Sequence, residues 1–339
     1  MIATKNSRRR ASVLMIALWS LFILASFAVI LGQQVRQKMV LLKRLEARDD
    51  LGNIAEAAVG LGIAQIIKIE DAPASSLKDA WSMNPDLKDI PIADGKASLV
   101  RQLPEPAAED QNQGYGLEDE ESKININKAD LRVLTALMQV VLQADETQAQ
   151  SLAASIIDWR DADSELTVPL GSGEDSYYRN EKFPYESKDA PFQVLDELLL
   201  VKGFDTQTFE KLKKYITIHG SGRVNINTAA PAVLYSVGFP RTIVDTVLSV
   251  RAGKDSIAGT EDDFVFLTTQ DVVPEVSKAT GLSPSEMLTL NTIADQYLTV
   301  KSTAFMITSV AVSANQKDTA SVGCVIDAEG KILAYQKVR

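Results

Sequence analysis

The chain has 339 residues, 45 % of them hydrophobic, which is enough for two ordinary domains with real cores. A formal net charge of −10 argues against a surface built to neutralise phosphates, since that normally needs a basic stripe. A single cysteine, Cys324, excludes an internal disulfide, and a single histidine, His219, leaves no material for a zinc cluster or a Ser-His-Asp site. Most common catalytic chemistry is thereby removed, and a protein that is not an enzyme is expected.

Lys5, Arg8, Arg9 and Arg10 precede an uncharged run from Ala11 to Gln34 that is long enough to span a bilayer. The basic residues before it predict a cytoplasmic N-terminus, with everything after Gly32 outside. The run is longer than the apolar region of a cleaved secretory signal, and Arg36, Lys38, Lys43 and Arg44 follow it rather than a small-x-small cleavage site. Apolar residues continue at helical spacing through Val35, Met39, Leu42, Leu45, Leu51, Ile54, Ala58, Leu61 and Ile67, with no proline before Pro73. One helix from about Ser12 to about Ile67 is predicted, roughly 80 Å long at ~1.5 Å per residue.

Beyond Pro73, residues 97–103 read as a short strand. The stretch from Pro104 to Ser122 carries Glu105, Glu109, Asp110, Glu118, Asp119, Glu120 and Glu121 with no Lys or Arg, a linker signature. From about Ala129 to Thr280 apolar residues fall at helical spacing in short segments. Residues 298–312, 320–326 and 332–338 are β-branched and alternating, and Asp327 to Lys331 supplies a turn, so an antiparallel meander is expected. A strand before the helical segments and three after them imply one α/β domain split by a helical insertion, since a lone strand is not stable.

Within the insertion, residues 123–129 (KININKA) resemble residues 223–229 (RVNINTA), which predicts two small helical subdomains. Asn127 and Asn227 are placed as N-caps of the helices that follow.

Arg8 to Arg10 before the apolar run, the two Ile-Asn-Ile-Asn-type blocks, residues 156–163 (IIDWRDAD), Tyr177-Tyr178, Pro191-Phe192 and residues 195–203 (LDELLLVKG) occur in an order that resembles the minor pseudopilin K family of type II secretion systems, over nearly the whole chain. The resemblance implies an α+β fold: a pilin-like long N-terminal helix packed on an antiparallel sheet, with a large all-helical insertion of two SAM-like or helix-hairpin-helix-like subdomains. The implied divisions are a leader at 1–11, the N-terminal helix at 12–70, a pseudopilin domain at 71–121 plus 286–339, and the insertion at 122–285. Prepilin peptidase would cut between Ala11 and Ser12, although its usual substrate has glycine before the cut. Ile16 would then be the fifth mature residue, where most pilins carry glutamate. That glutamate pairs with the N-terminal amine of the subunit ahead, so its lack fits a subunit at the tip of the periplasmic pseudopilus, where an unpaired buried carboxylate would be costly. The implied partners are the other minor pseudopilins, the major pseudopilin, prepilin peptidase and the inner membrane, with the secretin and the secreted substrate as further candidates. The implied place is a bacterial inner membrane, single-pass, with a periplasmic head. Leu51, Ile54, Ala58 and Leu61 are the expected partner-binding stripe of the helix.

Asp158, Asp161, Asp163, Glu165, Glu174 and Asp175 form the richest polar constellation. Its alternating carboxylates resemble the staggered oxygen ligands of calcium loops, although a solvated acidic loop would read the same way. The family resemblance implies calcium bound by the helical insertion and no organic cofactor. A second loop carries Asp255, Glu261, Asp262 and Asp263 in a pattern like the calcium loops of other pseudopilins, with a plain surface turn as the alternative. The Ile-Asn-Ile-Asn blocks also resemble helix-hairpin-helix DNA-binding modules of membrane-tethered receptors. That alternative function is weakened by Pro240 after Gly238 and by the absence of a matching glycine in the first copy, so no nucleic acid partner is expected.

Overall fold

The computed structural model describes residues 5–102, 113–169, 171–314 and 318–338. Of the sequence expectations, Leu103 and the acidic residues Glu105, Glu109 and Asp110 lie outside the described residues. The chain divides at Asn53/Ile54 into two units. The first is the N-terminal part of α1 (Lys5–Ile67), a helix whose segment from Val13 is long and apolar enough to cross a membrane.

In the second unit, the end of α1 buries Ile54, Ala55, Ala58, Val59 and Ile66. Strands β1 (Ile90–Ile92), β2 (Gly95–Gln102), β3 (Gln113–Tyr115) and β4 (Glu118–Asp119) follow. Next comes the helical module: β5 (Ile124–Asn125), α2 (Leu131–Leu142), α3 (Glu146–Arg160), α4 (Asp175–Tyr178), α5 (Thr206–Leu212), β6 (Ile216–Thr217), β7 (Val224–Asn225), α6 (Pro231–Ser236), α7 (Arg241–Arg251), α8 (Val272–Thr280), α9 (Pro284–Tyr297) and β8 (Leu298–Thr299). The chain ends in β9 (Ala304–Ser313), β10 (Thr319–Asp327) and β11 (Ile332–Val338).

The main sheet has the order β1-β2-β9-β10-β11, all antiparallel, with β3 on β2 and β4 on β9. The expected meander is present, and the strand at 95–102 finds its partner in β9, about two hundred residues later in the chain. Gly62 of α1 sits directly over that pair: a Cβ there would lie 3.1 Å from Ile307 and 3.2 Å from Leu99. The glycine lets the helix approach the sheet closely. Ile54 and Ala58 face this interior, and Leu51 is likewise buried, so these three are not the exposed partner stripe that the helical spacing suggested; Leu61 remains 42 % exposed.

The helical module shares one continuous core and is built as two copies of one plan. In the first, β5 pairs in parallel with β6 and brackets the helices between them; in the second, β7 pairs in parallel with β8. Good caps start the helices: Asp130 Oδ1 accepts from Val133 N at 2.8 Å for α2, Asp145 Oδ1 from Gln148 N at 2.9 Å for α3, and Ser283 with Glu286 forms a capping box for α9. The module extends past residue 285, because α9 contributes Leu290, Ile293 and Ala294 to its core.

Asn127 and Asn227 are not caps. Asn127 donates to Phe192 O at 2.9 Å and accepts from Phe192 N at 2.7 Å; Asn227 does the same with Phe266, at 2.9 Å each way. Each asparagine amide thus imitates a strand partner and pins an extended segment that lies 65 or 39 residues downstream. An arginine at the end of the second helix completes each copy: Arg160 donates to Ala129 O at 2.6 Å, and Arg251 to Ala229 O at 2.7 Å.

The described part of the acidic stretch is not a linker. Asp119, Glu120 and Glu121 are buried, and each holds a different crossing of the chain between sheet and module. Asp119 accepts from Asn225 Nδ2 at 3.1 Å and from the Thr228 hydroxyl. Glu120 accepts from the Thr217 hydroxyl and from Lys123 at 2.8 Å. Glu121 accepts from Ser221 N at 2.9 Å, Ala304 N at 3.2 Å and the Thr303 hydroxyl. Burial and the neighbouring Glu121 push the Asp119 carboxyl up to about 7.

Candidate metal centre

In both copies the helix ending in arginine is followed by an acidic loop that returns to the pinned phenylalanine. These loops are residues 161–191 and 252–265. They contain the two carboxylate constellations expected from the sequence, at equivalent places in the repeat.

In the first loop, Asp161 follows the last residue of α3, Asp163 lies two residues on, and Glu174 immediately precedes α4. One oxygen from each of these three carboxylates lies within 4.8 Å of the others. Asp158, on the last turn of α3, is fully buried; its Oδ1 accepts from Thr167 N at 2.9 Å while Oδ2 has no protein partner. Asp161 Oδ1 and Glu174 Oε1 are buried and equally without partners. Burial first, and then Asp158, Asp161, Asp189 and Asp163, raise the Glu174 carboxyl to about 7; burial and the charges of Asp163 and Asp158 raise Asp161.

A buried carboxylate oxygen left unpaired is costly, and those of Asp161 and Glu174, gathered with Asp163 about one point, fit a hard divalent cation. Asp161, Asp163 and Glu174 are the residues able to hold it, with the charge of Asp158 close behind them. Trp159, next to Asp158, meets Tyr178 and Tyr185 edge-on, with ring centroids 5.3 and 6.3 Å away, and the two tyrosine rings lie tilted against each other at 5.1 Å. Lys202 closes the loop by donating to Ser172 O at 2.8 Å while its ammonium lies over the Tyr177 ring.

Two expected ligands are elsewhere. Asp175 is committed to Ser187 N and Oγ, each at 2.9 Å, and to Arg179 at 2.7 Å, bonds that hold its carboxyl below the usual range. Glu165 is exposed and not part of the carboxylate cluster. The sequence reading missed Asp189, whose charge reaches Glu174 from just before Phe192. Its signal was available only as the acidic residue next to the Pro191-Phe192 block.

The second loop is folded on itself. Asp262 Oδ2 accepts from Lys254 N at 2.6 Å and Asp255 N at 3.2 Å, Asp255 Oδ1 from Ile257 N at 2.8 Å, and Asp263 Oδ2 from Gly259 N at 2.7 Å. These backbone N–H groups hold the Asp262 carboxyl low. Gly253, at φ +61, is required because a Cβ would meet Asp262 O at 2.6 Å. Glu261 contributes its carbonyl to Lys78 at 2.5 Å. The turn after α6, the glycine-containing part of the helix-hairpin-helix-like segment, also has its amides engaged: Gly238 N donates to Tyr235 O at 3.0 Å and Phe239 N to Leu234 O at 3.2 Å.

Residues 97–221 match the family described as type II secretion system (T2SS), protein K. The matched segment is 125 of the 339 residues. It spans β2 through the close of the first helical copy, including the whole carboxylate cluster. No curated protein sequence matches the chain. Among solved structures it is similar to a chain in the crystal structure of the GspK-GspI-GspJ complex from the enterotoxigenic Escherichia coli type 2 secretion system, with 16 % identity, a TM-score of 0.64, and coverage of 88 % of this chain and 99 % of that one. The family resemblance and the α+β fold read from the sequence are both borne out.

Proposed function

We propose that the protein is a non-enzymatic minor pseudopilin K, anchored by α1 in a bacterial inner membrane and placed at the tip of the periplasmic pseudopilus. The observation that carries this reading is the match of residues 97–221 to the protein K family in a chain that also has a long apolar helix near its N-terminus. Ile16 in place of a carboxylate supports the tip, because a subunit with nothing ahead of it needs no partner for an N-terminal amine. Its partners are then other minor pseudopilins, as in the complex that contains the similar Escherichia coli chain, together with the major pseudopilin below.

Calcium bound by Asp161, Asp163 and Glu174 would supply a charge that ties the end of α3 to the start of α4. The second loop, already satisfied by its own amides, serves as a surface turn. Prepilin peptidase removes the leader between Ala11 and Ser12.

In a secretion-competent strain lacking its own K subunit, cysteine crosslinking of this chain is expected to trap it once per pseudopilus, with other minor pseudopilins. Crosslinks at regular intervals along the shaft would overturn the tip placement. Mass spectrometry of the membrane-extracted protein is expected to find Ser12 as its first residue, with Ala11→Val blocking the cut; an intact leader would overturn the processing step.

A further inference from the structure

The basic residues just beyond the apolar run have no role in the function above. Lys5, Arg8, Arg9 and Arg10 precede the run, but Arg36, Lys38, Lys43, Arg44 and Arg48 follow it, and no carboxylate occurs in the chain before Glu46. Positive charge on the outer side opposes the orientation that the leader favours. Five such residues therefore need an interaction that offsets their placement.

At about 100° per residue, Arg36, Lys43, Arg44 and Arg48 fall within an arc of about 140° that also holds Val40, and Lys38 lies on the far side with Val35, Met39, Leu42 and Leu45, so basic side chains ring the helix. All five basic residues are exposed, and among the described residues none makes an ion pair. Their height is set by the apolar run. Ser12, the first residue after the cut, and Arg36 are about 36 Å apart along the helix, against about 30 Å of hydrocarbon, so a centred helix puts Arg36 about 3 Å outside the apolar layer, at headgroup depth. Lys43 and Arg44 stand two turns higher on the same side, within reach of the surface field, and long basic side chains extend back toward it.

We propose that residues 35–48 carry a lipid-recognition surface that binds the anionic phospholipid headgroups of the outer leaflet through Arg36, Lys38, Lys43 and Arg44. This rests on the membrane-anchored reading of α1. The interaction holds the subunit at fixed depth in the membrane.

The test is hydrogen exchange on the full chain in lipid nanodiscs, either of phosphatidylcholine alone or with about 30 % phosphatidylglycerol, an anionic content that gives a substantial surface potential. Residues 35–48 are expected to exchange at least about fivefold more slowly in the anionic discs, the effect of roughly one well-placed basic residue. That difference is expected to vanish in about 1 M salt, where the screening length is about 3 Å, and in the R36Q/K38Q/K43Q/R44Q variant. Equal exchange in both lipids, with residues 13–34 protected, overturns the proposal while leaving the anchor intact. Slowing that needs added minor pseudopilins and ignores lipid charge overturns it in favour of a protein partner. Rapid exchange through residues 13–34 overturns the anchor and the proposal together.

Discussion

Glu174 and Asp119 carry their protons more tightly in the folded chain than in the unfolded one, each rising to about 7. For a carboxylic acid with a raised folded value, the native state binds more protons across the interval between the two values, so stability falls as pH rises through it. With chelator present, the melting temperature is therefore expected to drop from about pH 5 to about pH 7.5. Calcium should remove the part due to Glu174, and its stabilisation should grow over the same interval, reaching about 2.7 kcal/mol at a hundredfold excess over its dissociation constant. Asp119→Asn should flatten the slope that persists in calcium; an unchanged slope would show that Asp119 is not its source. Asp161→Ala with Asp163→Ala is expected to abolish the calcium response, whereas Asp262→Ala should keep it while costing stability through the lost turn. The reverse pattern would move the site to the second loop. Asn127→Ala and Asn227→Ala each strip both partners from a phenylalanine backbone, and each is expected to cost about 1–3 kcal/mol by chemical denaturation.

At the level of elements, the regular parts were legible in the sequence and the junctions were not. The long helix, the final meander and the doubled Asn-Ile-Asn block announce themselves through local periodicity, which needs no knowledge of the fold. The stretch from Glu118 to Glu121 looked solvated because consecutive carboxylates usually are. Its partners Thr217, Thr228, Thr303 and Ala304 lie about one hundred to two hundred residues away in sequence. Shorter separations, of 65 and 39 residues, hid the job of Asn127 and Asn227, whose place before a helix suggests a cap while Phe192 and Phe266 claim their amides. Of the candidate ligands, Asp161 and Asp163 were readable from alternation, but only the closure of the loop could separate Glu174, which joins them, from Asp175, which turns to Ser187 and Arg179. The stripe on α1 failed for a related reason: spacing identifies an apolar face but not what covers it. Gly62 tests that packing directly. Gly62→Leu should overfill the contact with Leu99 and Ile307 and is expected to lower stability by about 1–3 kcal/mol, read from the urea midpoint, whereas Gly60→Leu, with open space around it, should change little.

For the whole molecule, the position of β9 in the sheet has a consequence in time. It lies between β2 and β10 and also receives β4, yet it begins at Ala304, after the helical module is complete. A chain that emerges on the far side of a membrane from its N-terminus onward therefore presents β1 to β4 and the apolar face of α1 long before their partner strand exists. The module can close itself during that interval, since each copy contains both members of its own parallel pair. The sheet cannot, so a chain ending at Thr303 is expected to keep the module's helical circular dichroism and yet expose the α1 face to protease and to apolar dyes. On the proposed topology, that face would stay unsatisfied during export until the last three dozen residues arrive. The period of greatest exposure to aggregation is thus set by how fast the C-terminus is delivered, and a periplasmic holding chaperone would be needed only for that interval.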